Sequence, residues 1–311
     1  MSQAIPFGAR STADNVLAGI DLTGKRIVVT GCNSGIGFET MNALCANGAH
    51  VIGLARSLQD AESACGKAGP FCTPLACDLA DLESVAAAAE SIRRLQGPLD
   101  AVVANAGIAN LPTLQTHYGI ELQFLVNHIG HFALVNELLG LVRNGTGRIV
   151  VVSSSASLNL APAEGIMFDN LGGQQFYEPL MFYGQSKLAN AIFAKELSRR
   201  LSGRGIAVNS LHPGATRGTR LNRNASLPRK IALSAARPFM KSAPRGAATQ
   251  ALLAASPLAG GITGEFWSNC RIAAGNPLMD DIELAKRLWD VSENIVARHS
   301  ARVAKPLPQA A

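Results

Sequence analysis

The 311-residue chain is poor in three things. Aromatic residues make up 5% of it and charged residues 16%, and none of its six cysteines forms a C-x-x-C pair. The missing C-x-x-C spacing argues against the common zinc and dithiol motifs, so Cys32, Cys45, Cys65, Cys72, Cys77 and Cys270 are expected as reduced thiols. Few aromatics argue against a nucleic-acid reader despite a net charge of +6, because such a surface interleaves basic residues with stacking rings or presents a recognition helix. The first residues lack the basic and apolar regions of a signal peptide, and no apolar run approaches the roughly 20 residues that span a bilayer. A cytoplasmic protein without an integral membrane segment is the expectation.

What is present is apolar and small: 48% hydrophobic residues and 30 glycines. That composition excludes a disordered chain and suits parallel strands, apolar on both faces, beneath Ala-rich helices. An irregular leader is expected over residues 1–21, followed by one domain over 22–311. Strand-like runs at 26–30, 50–55, 71–76, 99–104, 147–153 and 206–211 alternate with helix-like segments at 36–47, 60–67, 82–95, 114–142 and 180–201. This alternation predicts an α/β fold, a doubly wound parallel sheet of Rossmann type. The pattern breaks at 216–246, which holds eight basic residues and no acid; helical segments at 247–255 and 281–298 follow around a short strand at 264–267. An insertion after a C-terminal strand end reads as a substrate lid, facing an anionic substrate or a membrane surface, or else as a solvated loop.

The first strand runs into Thr30-Gly31-Cys32-Asn33-Ser34-Gly35-Ile36-Gly37. Glycines at this spacing, between a strand and a helix, allow a tight turn, close approach to a pyrophosphate and close helix packing. About 20 residues beyond, where NAD enzymes carry a carboxylate for the ribose, stand Ala55 and Arg56. A guanidinium there suits the 2′-phosphate of NADP(H). Asp78 and Leu79 either border the adenine or, for Asp78, only cap a helix.

Of the three tyrosines only Tyr183 is followed four residues on by a lysine, Lys187, placing both on one helix face. An ammonium there stabilises the phenolate and makes the phenol a usable acid–base. With Asn105-Ala106-Gly107, Asn127 and the cluster Ser153-Ser154-Ser155, in that order, the sequence resembles the short-chain dehydrogenase/reductase (SDR) family. The strings Val126-Asn127-His128-Ile129-Gly130-His131-Phe132, Tyr183-Gly184-Gln185-Ser186-Lys187 and Leu211-His212-Pro213-Gly214 look like its retinol-dehydrogenase-like branch.

The resemblance implies an NADP(H)-dependent oxidoreductase that moves a hydride between the nicotinamide and a carbonyl or secondary alcohol. In it Tyr183 is the acid–base, and Ser154 (or Ser153 or Ser155 if the register slips) binds the reacting oxygen. Lys187 holds the nicotinamide ribose and Asn127 supports a relay water. Asn105, Ala106 and Gly107 flank the cofactor, Pro213 and Gly214 lie against the nicotinamide, and Thr216 or Thr219 contacts it. Ala104 stands where the family's pattern has a first Asn. The rival reading is an NADP(H)-sensing protein that has lost the chemistry. The resemblance also implies homo-oligomers built through helices that here include 114–142. Met167, Phe168, Phe176, Tyr177 and Pro179 either line a hydrophobic substrate pocket or only pack their loop. His128 and His131, three apart, are either core residues or a metal pair; no third ligand is apparent and no metal is expected.

Overall fold

A computed structural model describes residues 5–217 and 240–299. After helix α1 (Ala13–Leu17), strands β1 (Arg26–Thr30), β2 (His50–Ala55), β3 (Cys72–Ala76) and β4 (Ala101–Ala104) alternate with α2 (Gly35–Ala46), α3 (Leu58–Ala68) and α4 (Leu82–Arg94). A hairpin, β5 (Thr116–His117) and β6 (Ile120–Glu121), leads to a helix in three parts: α5 (Leu122–Phe124), a π-helical turn (Leu125–Ile129) and α6 (Gly130–Leu138). Then follow β7 (Arg148–Val152), α7 (Ala156–Asn159), α8 (Pro179–Arg200), β8 (Ala207–His212), α9 (Ala243–Ala255), β9 (Phe266–Ser268), β10 (Arg271–Ile272) and α10 (Ile282–His299).

The main sheet has eight strands in the order β10-β9-β8-β7-β4-β1-β2-β3, parallel except for β10. Its central strands are apolar on both faces because both are covered. One core layer packs α4, α6, α8 and α10 against the sheet; the other packs α1, α2 and α9. The order of connection reverses between β1 and β4, so their carboxyl ends frame a crevice. At the opposite end, buried Asp100 accepts the Arg26 N–H (3.0 Å) and pairs with Lys25 (3.1 Å) and Arg143 (3.2 Å), tying β1 to β4.

Across the outer face of α8 lies α10. Trp289 meets Phe132 edge-on at 5.0 Å and Phe193 at 5.9 Å, and the Arg200 guanidinium stacks over the indole at 3.9 Å.

Several expectations need correction. The leader is not irregular throughout: Thr12 caps α1 in a reciprocal box with Asn15, and Val16 and Leu17 are buried against α2 and α9. The 114–142 segment is not one helix. Tyr118 and Gly119 adopt left-handed conformations (φ 56° and 73°), which turn the chain into the hairpin before a helix can start. Not all six thiols are free, since Cys65 on α3 and Cys72 on β3 lie with Cα atoms 5.2 Å apart as a disulfide. The stretch Leu122–Leu141 is long and apolar enough by length and composition to cross a membrane, which no run was expected to be; 72% of its window is buried inside the fold, as a core helix. Most of the expected lid, with Thr219 and five of its basic residues, lies outside the described residues. Its two ends pair with each other, Lys241 N–H to Ala215 O (2.8 Å) and Arg217 N–H to Lys241 O (2.9 Å).

Candidate active site

A cavity of about 930 Å³ opens over the carboxyl ends of the sheet. One wall is the turn from β1 into α2, formed by Gly31, Asn33, Ser34, Ile36 and Gly37, with Gly35 just behind. Gly31 and Gly35 have φ of 67° and 56°, which a side chain would strain. At Gly37 the reason for glycine is space. A Cβ there would lie 2.2 Å from Gly31 O and 2.4 Å from Asn105 Nδ2. Gly37→Ala is therefore expected to cost roughly 1–3 kcal/mol of folding stability, as read by urea denaturation.

The turn is braced from β4. Asn105 Nδ2 donates to Thr30 O (2.8 Å), and the Thr30 hydroxyl oxygen accepts the N–H groups of Asn105 and Ala106, both at 2.9 Å. Asn105, Ala106 and Gly107 thus line the floor of the groove. Pro213, Gly214 and Thr216 close the end beyond β8, where the Thr216 hydroxyl donates to Gly214 O (3.0 Å).

At the far end of the groove stand Arg56, exposed, together with Asp78 and Leu79. Asp78 lines the cavity and also accepts the Ala80 N–H (3.0 Å); the helix cap is Asp81, which accepts from Glu83. Sequence reasoning missed Asp60, a carboxylate in the first turn of α3 that also lines this end and is held by the Ser57 hydroxyl at 3.0 Å. Its N-cap serine was the available signal.

The deep part of the cavity gathers Ser154, Tyr183 and Lys187. Pro179 starts α8, and the long helix carries Tyr183 and Lys187 inward, 8% and 3% exposed. Burial raises the Tyr183 pKa, opposed by the neighbouring Ser154 hydroxyl. Burial brings Lys187 down to about 7, and its ammonium donates to Val152 O (3.0 Å). Of the three serines, Ser153 donates to Lys187 O (2.6 Å) and is a buried brace, whereas Ser154 is the one beside the phenol.

Asn127 is not on the cavity wall. Its side chain is engaged behind it, accepting the Ile108 N–H (2.8 Å) and donating to Ile108 O and Ser186 Oγ (2.9 Å each). His128 and His131 do not converge: His128 Nε2 meets Ser292 Oγ at 2.9 Å, while His131 faces Thr30. Among the described residues no three His, Cys, Asp or Glu side chains are grouped to hold a metal ion.

The remaining wall is apolar with scattered amides. Ala109, Leu111, Leu122, Val126, Leu160 and Leu180 alternate with Asn110, Gln115 and Asn159. Apart from Val126, these residues fall in none of the motifs above. Of the loop residues weighed as pocket lining, Tyr177 instead donates from its hydroxyl to Leu111 O (2.8 Å), holding the wall from outside.

Comparison with known proteins agrees with this geometry. The family model for short chain dehydrogenases matches residues 25–166. The chain is 38% identical to retinol dehydrogenase 14 of Mus musculus over 292 residues, 88% of this chain and 86% of that one. It is 36% identical to the chloroplastic short-chain dehydrogenase TIC 32 B of Brassica napus over 93% of this chain and 94% of that one. Among solved structures, an uncharacterised protein of Mycobacterium paratuberculosis superposes with a TM-score of 0.74 at 28% identity, covering 92% of this chain and 98% of that one. A short chain dehydrogenase from Burkholderia cenocepacia in complex with NADP gives 0.63 at 27% identity, covering 79% and 96%. With its strand order, its glycine turn at the β1/β4 crevice and these relatives, the chain belongs to the short-chain dehydrogenase/reductase family of oxidoreductases, in the retinol-dehydrogenase-like branch.

Proposed function

We propose that this chain is an NADP(H)-dependent oxidoreductase that reduces a hydrophobic carbonyl compound or oxidises the corresponding secondary alcohol. The observation that carries the reading is the convergence of Ser154, Tyr183 and Lys187 at the deep end of a groove whose other end holds Arg56. The groove fits a dinucleotide. Gly37 lets the turn pack against Gly31 O and Asn105 Nδ2, which a Cβ would strike, and the amides of Asn105 and Ala106 are held in place by Thr30.

When bound, the nicotinamide supplies or accepts the hydride. The chain's own residues do the rest. Ser154 donates a hydrogen bond to the substrate oxygen, and Tyr183 gives that oxygen a proton in reduction or removes one in oxidation. Lys187, in its charged form, stabilises the phenolate left on Tyr183 and binds the ribose. Asn127 holds the backbone of Ile108 and the helix at Ser186 in place. The intact trio speaks against a sensor that has shed its chemistry. The apolar wall of Leu111, Leu122, Val126 and Leu160 favours an uncharged, hydrophobic substrate.

The test follows NADPH absorbance against a panel of aldehydes, ketones and quinones. Turnover of an apolar carbonyl supports the reading; tight NADPH binding with no turnover would favour the sensor, and no NADPH binding would remove the cofactor assignment. Preference between cofactors rests on Arg56. Arg56→Ala is expected to weaken NADPH binding about 10- to 100-fold, the worth of a charge-assisted pair of hydrogen bonds, with NADH binding nearly unchanged. Equal losses for both cofactors would assign Arg56 no part in the choice.

A further inference from the structure

The histidine just after the π-helical turn has a part that the reaction outlined above does not use. His131 is 1% exposed at the start of α6, and each ring nitrogen has a partner. Nε2 lies 2.9 Å from Thr30 Oγ1, and Nδ1 lies 2.9 Å from the main-chain oxygen of Asn127.

Counting protons fixes the tautomer. Thr30 Oγ1 already accepts two N–H groups, from Asn105 and Ala106, which uses both its lone pairs. Its own proton must therefore be donated, and the acceptors within reach are His131 Nε2 at 2.9 Å and Val103 O at 3.5 Å. Donation to Nε2 leaves the ring proton on Nδ1, pointing at a carbonyl oxygen that can only accept. Thr30 Oγ1 and both ring nitrogens of His131 are then satisfied. A doubly protonated ring would present a third donor to Thr30 Oγ1, with no lone pair left to receive it.

Beyond Asn127 the chain of contacts continues. The Asn127 amide donates to Ser186 Oγ (2.9 Å), and Ser186 donates to the carbonyl of Tyr183 (2.8 Å), on the helix that also bears Lys187. The π-helical turn at Leu125–Ile129 lies where His131 grips the backbone. Such turns break the regular hydrogen-bond ladder and often mark functional sites.

We infer that His131 is a positioning residue: locked as the neutral Nδ1–H tautomer, it ties the backbone amides that wall the cofactor groove to the π-helical turn at Asn127, and through it to the helix carrying Tyr183 and Lys187. Burial, with the charge of Lys187 added, brings its pKa down to about 4, in keeping with a ring that does not titrate near neutral pH. The facing elements contribute Thr30 from β1, the two amides after β4 and Lys187 from α8. The cofactor part of this inference rests on the function proposed above; the tautomer does not.

Two measurements on the full chain test it. In protein labelled with ¹⁵N-histidine, the long-range ¹⁵N–¹H spectrum of His131, assigned by its loss in His131→Phe or in His131→Asn, should show the Nδ1–H form unchanged from pH 5 to pH 8. An Nε2–H form, or titration within that range, overturns the inference. Second, His131→Phe keeps the ring shape but makes neither bond, and should raise the NADPH Kd about tenfold or more and displace the neutral-range limb of the kcat profile that Lys187 sets. His131→Asn keeps an amide donor for the Asn127 oxygen and should restore that limb while recovering cofactor affinity only in part. A lowered melting temperature in His131→Phe with wild-type Kd and pH profile would reduce His131 to packing and refute the positioning role. If His131→Phe does not fold, the spectrum of the wild type and the His131→Asn variant decide. Should the wild type fail to bind NADPH, the proposed function falls while the tautomer is still measured.

Discussion

Turnover in Tyr183→Phe is expected to fall about 10³-fold, within the range for loss of a general acid–base, while NADPH binds with near wild-type affinity. Phenylalanine keeps the ring that packs against Ala109 and Ala156 and removes only the hydroxyl. The direction of the phenol's shift matters for the pH dependence. Burial raises its pKa, so the proton needed for carbonyl reduction is in place at neutral pH. Donating it leaves a buried phenolate, which needs the charged form of Lys187. Because Lys187 loses its proton from about 7 upward in the free chain, reduction is expected to slow as pH rises through that value. Alcohol oxidation, which starts from the deprotonated phenol, gains with pH instead. Initial rates of NADPH loss with the carbonyl, and of NADPH formation from NADP+ with the alcohol, measure the two directions across pH 5.5 to 9. Retention of a tenth or more of wild-type turnover in Tyr183→Phe would take the phenol out of the chemistry.

Lys187→Met is expected to abolish turnover and yet stabilise the cofactor-free chain. A lysine that titrates near 10.4 when unfolded and about 7 when folded is penalised for carrying its charge inside. The sign follows from proton counts. Between the two pKa values the unfolded chain binds the extra proton, so stability rises with pH across that window, and below about 7 the whole penalty applies. Removing the ammonium at pH 7 should therefore add a few kcal/mol, seen as a melting temperature higher by several degrees. Methionine leaves no orphan behind it, since Val152 O keeps the amide of Asn190 at 3.1 Å. The gain should shrink as pH rises toward about 10.4 and vanish above it, where the wild-type lysine is neutral in both states. A destabilised variant at pH 7 would mean that Lys187 is held by contacts worth more than its burial costs.

Much of this site was legible in the chain because its parts are local. The glycine turn needs only eight consecutive residues, and the pairing of Tyr183 with Lys187 only one helical turn. Strand 50–55 matched β2 to the residue, since a run apolar on both faces bounded by turn residues has few other readings. The failures are tertiary or conformational. The helix at 114–142 reads as continuous by composition, and two left-handed residues break it. The short helix α1 has too few residues to show a period; its reciprocal Thr12–Asn15 cap was the visible trace. The pairing of Cys65 with Cys72 depends on α3 folding back along β3. Asn127 stood out in its motif, but its partners, which lie 19 and 59 residues away, did not.

The placement of α10 has a consequence for how this chain is held together. The apolar faces of α6 and α8 around Phe132 and Phe193 are filled by Trp289 of the same chain. A face covered by a second copy is covered only to the extent that mass action allows, and is laid bare on dilution. Here the cover is tethered, so its effective concentration is set by the length of chain joining it to α8 and not by the amount of protein in solution. The burial of that face is a unimolecular property, as complete in one isolated molecule as in a crowded compartment.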